Sequence, residues 1–234
     1  WLLQNGLTQT HQNNMGAFGG PDIITDGLVF AMDPGSTRSY AGTGTTAYNI
    51  INNTSGTLEN GVTFSTNNGG YFDFDGTDDY ISDFSNTGIT HGTSNFSYFF
   101  WINLQGKPSL GTILENGTWP SALLIRYSTD GIQIYSMSTF IGKFSFDPSL
   151  STWNNVGFVR SGNFINFYLN GVYQAQFAFN MNVAPSANIF IGTSQHATGQ
   201  CFNGYIATAT IYTKNLSTAE ISQNYNAQRT RFGL

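Results

Sequence analysis

The densest group of potential ligand atoms is the acidic turn at residues 75–80, Asp75-Gly76-Thr77-Asp78-Asp79-Tyr80. Clustered carboxylates and carbonyls are the oxygen donors that Ca²⁺ accepts, so Asp75, Asp78 and Asp79 are candidate ligands. The turn lacks EF-hand spacing, and Asp and Gly also favour turns that close through their own backbone. We therefore expect a structural turn and no required cofactor, with Ca²⁺ binding as the alternative.

A hydrolytic site would need paired carboxylates, and the sequence offers few. Glycosidases hold two carboxyl groups about 5–5.5 Å or 6.5–9.5 Å apart. Asp73 and Asp75 share one face of a predicted strand, about 7 Å apart, but any alternating strand gives this spacing. Glutamate occurs only at positions 59, 115 and 220, the three histidines have no zinc-site spacing, and no G-x-S-x-G motif is present. We expect a protein that is not an enzyme.

Aromatic side chains offer a different kind of site. Trp119, Tyr127 and Tyr135 fall in or near the middle strands and are candidates for a platform on which sugar rings stack. Because aromatic residues make up 15% of the chain, we expect these three side chains to pack in the core or against another subunit, and the sugar platform is the alternative. The single cysteine, Cys201, precedes a strand, where we expect a partly buried thiol.

Short apolar runs separated by turn residues must position these side chains, and this pattern predicts an all-β sandwich. Residues 96–104 are apolar on both faces, which predicts a central strand. Asn170-Gly171 between two apolar runs predicts a type I′ hairpin. Further strands are predicted at residues 28–32, 71–75, 122–127, 132–135, 156–160, 164–169, 173–179, 188–192 and 204–212.

One helix is predicted near the end of the chain. Ser217 and Glu220 have the spacing of a capping box, and Leu216 and Ile221 have the spacing of a hydrophobic staple. The predicted fold class is therefore a two-sheet antiparallel sandwich with one short C-terminal helix.

Composition limits the partners. Charged residues make up 9% of the 234 residues and the net charge is −5, with the basic residues scattered. This argues against nucleic acid and anionic membranes as partners, and no apolar run approaches the ~18 residues that cross a bilayer.

Residues 1–20 are polar and rich in Gln and Asn, without sustained periodicity. They predict an N-terminal arm outside a domain at residues 21–234. Trp1, Leu2, Leu3 and Phe18 are costly to leave in water, so we expect the arm to order against a neighbouring subunit, with an unstructured terminus as the alternative.

Five segments, in order, resemble the laminin G-like branch of the concanavalin A-like lectin/glucanase superfamily. They are DGLVFAMDPGSTRSYAGTGTTAYNI, GGYFDFDGTDDYI, SNFSYFFWINL, TWNNVGFVRSGNFINFYLNG and the C-terminal segment from Ile189 that ends in RTRFG. The particular form is similar to domains of tailed-phage structural proteins. The resemblance implies a two-sheet jelly roll (concanavalin A-like), display on a particle or fibre, and glycan or protein binding that sometimes uses Ca²⁺. The E-x-D-x-x-E motif of the catalytic relatives is absent.

The resemblance thus implies a non-enzymatic virion structural protein on the outside of a phage particle, as a head decoration or a tail or fibre component. Its partners would be other virion proteins or further copies of itself, and surface glycans. The alternative is a Ca²⁺-assisted carbohydrate-binding module or adhesin of a secreted or cell-surface protein. The expected location is the virion surface or the extracellular space.

Overall fold

The computed structural model describes residues 22–85, 87, 89, 91–117, 122–129, 131–136, 139–146, 149–183, 188–194 and 199–234. Within these ranges the chain forms sixteen β-strands, the helix α1 (Thr218–Gln228) and two short 3-10 helices (Asn67–Gly69 and Arg229–Phe232). The strands are β1 (Leu28–Met32), β2 (Thr46–Tyr48), β3 (Ser55–Glu59), β4 (Thr63–Ser65), β5 (Tyr71–Asp75), β6 (Tyr80–Ser82), β7 (Phe96–Leu104), β8 (Leu110–Asn116), β9 (Leu123–Ser128), β10 (Gly131–Ser136), β11 (Thr139–Ser145), β12 (Trp153–Ser161), β13 (Phe164–Leu169), β14 (Val172–Ala178), β15 (Ile189–Ile191) and β16 (Asn203–Tyr212).

The strands form two antiparallel sheets. The first has the order β14-β13-β12-β7-β16-β5-β4, and β1 also pairs with β16. The second has the order β11-β10-β9-β8-β15-β6-β3-β2. This is the two-sheet jelly-roll sandwich with one short C-terminal helix that the sequence predicts.

The core lies between the sheets because each strand turns its alternate apolar residues inward. Every residue of β7 is buried, as its two apolar faces predict. Tyr98, Phe100 and Ile102 point into the central core, whereas Phe99 and Trp101 pack in separate clusters on the other side of the sheet.

The outer face of the first sheet is covered by the end of the chain. Leu216 and Ile221 pack with Phe99 and Tyr212, and Trp101 stacks on Phe232 with the ring centroids 4.2 Å apart. In the described part of the chain, α1 and the final 3-10 helix pack on this sheet. The second sheet carries no such helical cover there.

Most predicted elements agree with the observed ones. The predicted bounds are those observed for β1, β5, β7 and β13. The predicted type I′ turn has the required positive φ at both central residues, 51° at Asn170 and 77° at Gly171. Ser217 and Glu220 form the predicted capping box at the start of α1. The predicted arm at residues 1–20 lies outside the described residues.

Six observed strands lie outside the predicted ones, namely β2, β3, β4, β6, β8 and β11. Among them, β8 is an inner strand of the second sheet, and Gly111 and Thr112 interrupt its apolar run.

Among the described residues, no helix has the length and apolar character needed to cross a membrane.

Candidate functional site

A row of outward-facing residues runs across the second sheet, perpendicular to its strands. Strand pairing places them side by side, in the order Phe140, Tyr135, Leu124, Glu115 and Phe190. Their chain neighbours, such as Ile125 and Ile134, point into the core. Because adjacent strands lie about 4.8 Å apart, this cross-sheet row extends about 20 Å.

One end of the cross-sheet row is an aromatic platform. Phe140 is 50% exposed, and its ring centroid lies 5.3 Å from that of the half-buried Tyr135. The Arg126 guanidinium lies 4.3 Å from the Tyr135 ring centroid. Arg126 donates to the side chains of Gln133 (3.1 Å) and Gln200 (2.8 Å), which hold the guanidinium in place. The platform therefore presents a ring surface on a fixed support.

The other end of the row opens into a cleft of about 400 Å³. Phe190 and Tyr80 contribute rings, Ser82, Thr193 and Ser194 contribute hydroxyls, and Asp78 contributes a carboxylate. Asn60, Thr77, Gly199 and Cys201 complete the described lining. Mixed ring and hydroxyl surfaces of this kind suit a ligand that has both apolar faces and hydroxyl groups.

A buried carboxylate separates the platform from the cleft. Glu115 has 0% exposure although it lies on the outer face of the sheet, and the Ser194 hydroxyl donates to its Oε2 over 2.5 Å. Burying a carboxylate is costly unless hydrogen bonds compensate. Glu115 therefore fixes the orientation of a hydroxyl in the cleft wall. Sequence reasoning missed this role because it did not predict β8.

The acidic turn lies at the rim of the cleft, where Asp78 belongs to the lining. One carboxylate oxygen from each of Asp75, Asp78 and Asp79 lies within 4.8 Å of the others. Asp75 Oδ1 accepts the Thr77 N–H over 2.7 Å, and Asp79 Oδ2 accepts the Asp75 N–H over 3.0 Å. The first bond lowers the pKa of Asp75, whereas burial raises the pKa of Asp79. The turn thus closes through its own backbone, as predicted, and also brings three carboxylates together.

Asp73 and Asp75 share one face of β5, as their spacing predicts. That strand belongs to the first sheet, where Asp73 lies opposite Tyr205 and Asp75 lies opposite Asn203. Burial raises the pKa of Asp73. Asp73 and Asp75 therefore lie on a strand of the first sheet, whereas the cross-sheet row belongs to the second sheet.

The predicted sugar-stacking residues separate into different environments. Tyr135 belongs to the platform, but Tyr127 points to the opposite side of the sheet, has 0% exposure and donates its hydroxyl to the Thr129 carbonyl. Tyr127 is therefore a core residue and cannot offer a ring face to a ligand. Phe140, which the sequence analysis did not single out, takes its place. Trp119 lies outside the described residues, as do Trp1, Leu2, Leu3 and Phe18.

Comparison with known families gives a match over residues 74–222 to the laminin G-like family model of the concanavalin A-like lectin/glucanases superfamily. Comparison with curated protein sequences gives no match.

Solved structures share the fold. The botulinum neurotoxin serotype G binding domain superposes with a TM-score of 0.67 at 15% identity, covering 85% of this chain and 50% of that chain. The receptor-binding domain of the botulinum neurotoxin C/D mosaic serotype superposes with a TM-score of 0.69 at 17% identity, covering 88% of this chain and 52% of that chain. A third similar structure is domain 4 of AbnA, a GH43 extracellular arabinanase from Geobacillus stearothermophilus, in complex with arabinotriose. It superposes with a TM-score of 0.66 at 14% identity, covering 85% of this chain and 98% of that chain. The chain thus spans about half the length of the toxin domains, and similarity at this identity establishes the fold alone.

Proposed function

Because the chain belongs to the concanavalin A-like lectin/glucanases superfamily, we propose that it is a carbohydrate-binding domain without catalytic activity. Its ligand contacts the aromatic platform and the cleft at the two ends of the cross-sheet row, whereas Leu124 and Glu115 between them are buried. The observation that carries this proposal is the pairing of an exposed aromatic platform at Phe140 and Tyr135 with a hydroxyl-lined cleft at the other end. Rings stack on the apolar faces of sugars, and hydroxyls and amides bond their hydroxyl groups. A ligand that contacts both ends, about 20 Å apart, is an oligosaccharide.

The absence of catalysis is proposed from the carboxylates near the row. Glycoside hydrolysis requires two carboxyl groups on either side of the scissile bond. Among the described lining residues, the cleft has the single carboxylate of Asp78, and Glu115 behind Ser194 has no exposed surface. A buried, hydrogen-bonded carboxylate serves to orient a neighbour and cannot reach a substrate.

The proposal is tested with a glycan array that includes arabinotriose, followed by titration of the best ligand. Phe140→Ala and Tyr135→Ala should each weaken binding about tenfold, the loss of one stacking contact. Phe164→Ala is the matched control, because Phe164 is also exposed (45%) but belongs to the first sheet. If no glycan binds, or if all three variants bind equally well, the proposal is wrong.

We further propose that Ca²⁺ assists this binding through Asp75, Asp78 and Asp79. Hard cations prefer carboxylate oxygens. The backbone bonds of the turn use Asp75 Oδ1 and Asp79 Oδ2. An ion can therefore contact the second oxygen of each of these carboxylates without breaking the turn. Added CaCl₂ should raise the Tm of the wild-type chain but not of Asp78→Asn, and EDTA should weaken glycan binding. A Tm that does not respond to CaCl₂ would remove the ion from the proposal.

A second proposed role is display on the outside of a phage particle, with other virion proteins or further copies of this chain as partners. Two observations favour it. The chain has few charges to keep neighbours apart, and the hairpin at the edge of the first sheet exposes Phe164 (45%), Val172 (61%) and Tyr173 (50%). Residues 1–20, with Trp1, Leu2, Leu3 and Phe18, would act as the anchoring arm.

This role is tested by asking whether the full chain copurifies with particles, and in what copy number. Deletion of residues 1–20 should abolish particle binding while the truncated domain still folds. A truncated domain that decorates particles normally would exclude the arm as the anchor.

A further inference from the structure

The outer face of the first sheet has a polar and aromatic row of its own, beside the part that the end of the chain covers. Strand pairing places Asp73 of β5, Tyr205 of β16 and Asn103 of β7 side by side. Their chain neighbours, such as Phe72 and Ile102, belong to the central core, so all three side chains point outward. We call these three residues the first-sheet row.

Tyr205, in the middle of the first-sheet row, is a half-buried ring on a fixed support. It stacks on Tyr71, with the ring centroids 4.4 Å apart and the ring planes at 24°. Tyr71 in turn packs against Trp153, which contacts Phe232 of the C-terminal segment. Tyr71 and Trp153 are buried by these contacts, whereas Tyr205 is covered only in part. Tyr205 therefore keeps ring surface that a ligand can contact.

Asp73, on one side of Tyr205, has a carboxylate without a partner. The residue is half-buried, and no hydrogen bond or ion pair to its carboxylate is formed by the part of the chain that the structure describes. Burial, and to a smaller extent the charge of Asp75, raise the pKa of Asp73. A carboxylate that loses water without gaining hydrogen bonds is destabilised in its charged form. A ligand hydroxyl that donates to Asp73 would supply the missing bond.

Asn103, on the other side of Tyr205, offers a donor. The residue is 5% exposed, and its Oδ1 accepts a bond from Gln105 Nε2 over 2.7 Å. Gln105 Oε1 accepts the Ser151 hydroxyl over 3.3 Å, which holds the Gln105 amide in place. Because these bonds engage the oxygen of Asn103, its NH₂ group is left for a ligand, and that group has no partner among the described residues.

The first-sheet row thus has an acceptor and a donor on the two sides of an aromatic ring. Directly opposite side chains on paired strands lie about 5 Å apart at Cβ, so Asp73 and Asn103 are about 10 Å apart. Adjacent hydroxyls of one sugar ring can then donate to Asp73 and accept from Asn103, while the sugar contacts Tyr205. An ammonium group could bond Asp73, but it has no lone pair for the Asn103 donor. We propose that the first-sheet row is a second carbohydrate site, which binds one sugar unit through a pair of adjacent hydroxyl groups.

The experiment is an NMR titration of the isotope-labelled full chain with the methyl glycosides of mannose, galactose, fucose and arabinose at millimolar concentrations. At least one of them should shift the side-chain amide signals of Asn103 and the ring signals of Tyr205. Asp73→Asn should weaken this binding about tenfold, because a bond to a charged group is lost. Asn103→Asp keeps the oxygen that Gln105 bonds but loses the donor, and it should weaken binding to a similar extent. The Tyr205 ring signals report binding in both variants.

The matched control is Asp83→Asn, which removes an exposed carboxylate that follows β6 in the second sheet. The positive φ of Asp83, 48°, suits asparagine equally well. This variant should bind like the wild type. Should the row variants fail to fold, the wild-type signals still decide. No response of Asn103 and Tyr205 to any of the four glycosides, or equal binding by folded Asp73→Asn and Asp83→Asn, would overturn the proposal.

The two carbohydrate sites are tested separately, because they lie on different sheets. Phe140→Ala should leave the response of the first-sheet row unchanged, since it alters only the platform on the second sheet. Shifts confined to the cross-sheet row would overturn the second site and leave the function proposed above intact. Shifts confined to the first-sheet row would support the second site and count against the platform.

Discussion

At the scale of single residues, His91 shows how burial changes chemistry. It is 4% exposed, and its ring contacts the Tyr98 hydroxyl, which also accepts a bond from Asn116 over 2.7 Å. Burial, together with the nearby Arg160 charge, lowers the pKa of His91 from 6.5 to about 4. Neutral imidazole is therefore the form that the folded protein holds near neutral pH.

The pH dependence of stability follows from this pKa. The unfolded chain protonates His91 near pH 6.5 and the folded chain only near pH 4, so the unfolded state binds more protons in between. The contribution of neutral His91 to the free energy of unfolding is fully present above pH 6.5, and it is lost as the pH falls from there towards 4. We expect a loss of about 2 kcal/mol in the free energy of unfolding between about pH 7 and 5.

Urea denaturation at several pH values checks this prediction. His91→Gln keeps a polar group beside Tyr98 but does not titrate, so the free energy of unfolding should be nearly flat from about pH 7 to 5. That range lies above the ordinary pKa values of the carboxylates. A variant that keeps the full wild-type slope would show that another group causes the pH dependence.

Residue roles were predictable from the sequence only where the strand pattern was clear. Alternation in residues 96–104 correctly separates Tyr98 and Phe100 from Phe99 and Trp101. The sequence offers both Tyr127 and Tyr135 as candidate ligand contacts, but they lie on opposite sides of the second sheet. Composition does not distinguish the core side of a strand from its outer side, since both sides of β9 and β10 carry apolar or aromatic residues.

At the scale of elements, the start of α1 is stabilised by several bonds to one side chain. The Glu220 carboxylate accepts the Ser217 N–H over 2.7 Å and the Lys214 ammonium over 2.8 Å. These bonds lower the pKa of Glu220 to about 2, and the Lys214 bond contributes more than the bond from the Ser217 N–H. Leu216 and Ile221 are buried in the same cluster, as the predicted hydrophobic staple requires.

Ser217→Ala removes the acceptor for the Glu220 N–H and should lower the free energy of unfolding by about 1 kcal/mol. The measurement is urea denaturation at neutral pH. Ser222→Ala, in the exposed middle of α1, is the control and should be neutral or slightly stabilising because alanine favours helix interiors. Equal effects of the two substitutions would contradict a capping role for Ser217.

Elements with strong local signals were predictable, and those that depend on tertiary pairing were not. The cap of α1 and the Asn170-Gly171 turn are specified within a few residues. By contrast, β2, β4 and β6 have three residues each and form only because longer neighbours offer backbone partners. β3, β8 and β11 were also not predicted, so the positions of Glu115 and Phe140 in the row could not be derived from sequence.

At the scale of the whole molecule, the two sheets differ in what covers them. The C-terminal segment occupies the outer face of the first sheet through Trp101 and Phe232, which leaves the second sheet to carry the cross-sheet row. The family resemblance in the sequence implied the sandwich, but it did not indicate which sheet the end of the chain would cover. That distinction depends on where the last residues pack.

Arg231 fixes that packing by joining the two ends of the described chain. Its guanidinium makes two bonds to the Asp33 carboxylate, at 2.8 and 2.9 Å, and donates to the Asn68 carbonyl over 2.6 Å. The Arg231 and Asp33 side chains are 8% and 13% exposed, so removing one leaves the other charge poorly solvated. Arg231→Ala should lower the free energy of unfolding by about 3 kcal/mol.

Arg231→Lys should recover only part of that loss, because an ammonium group cannot make the two parallel bonds of a guanidinium. Arg229→Ala is the matched control, since Arg229 lies in the same 3-10 helix and is exposed. Urea denaturation measures stability, and fluorescence of the Trp101 environment reports whether Phe232 still stacks there. If Arg231→Ala costs no more than Arg229→Ala, the bonds from Arg231 to Asp33 do not stabilise the packing of the chain end on the first sheet.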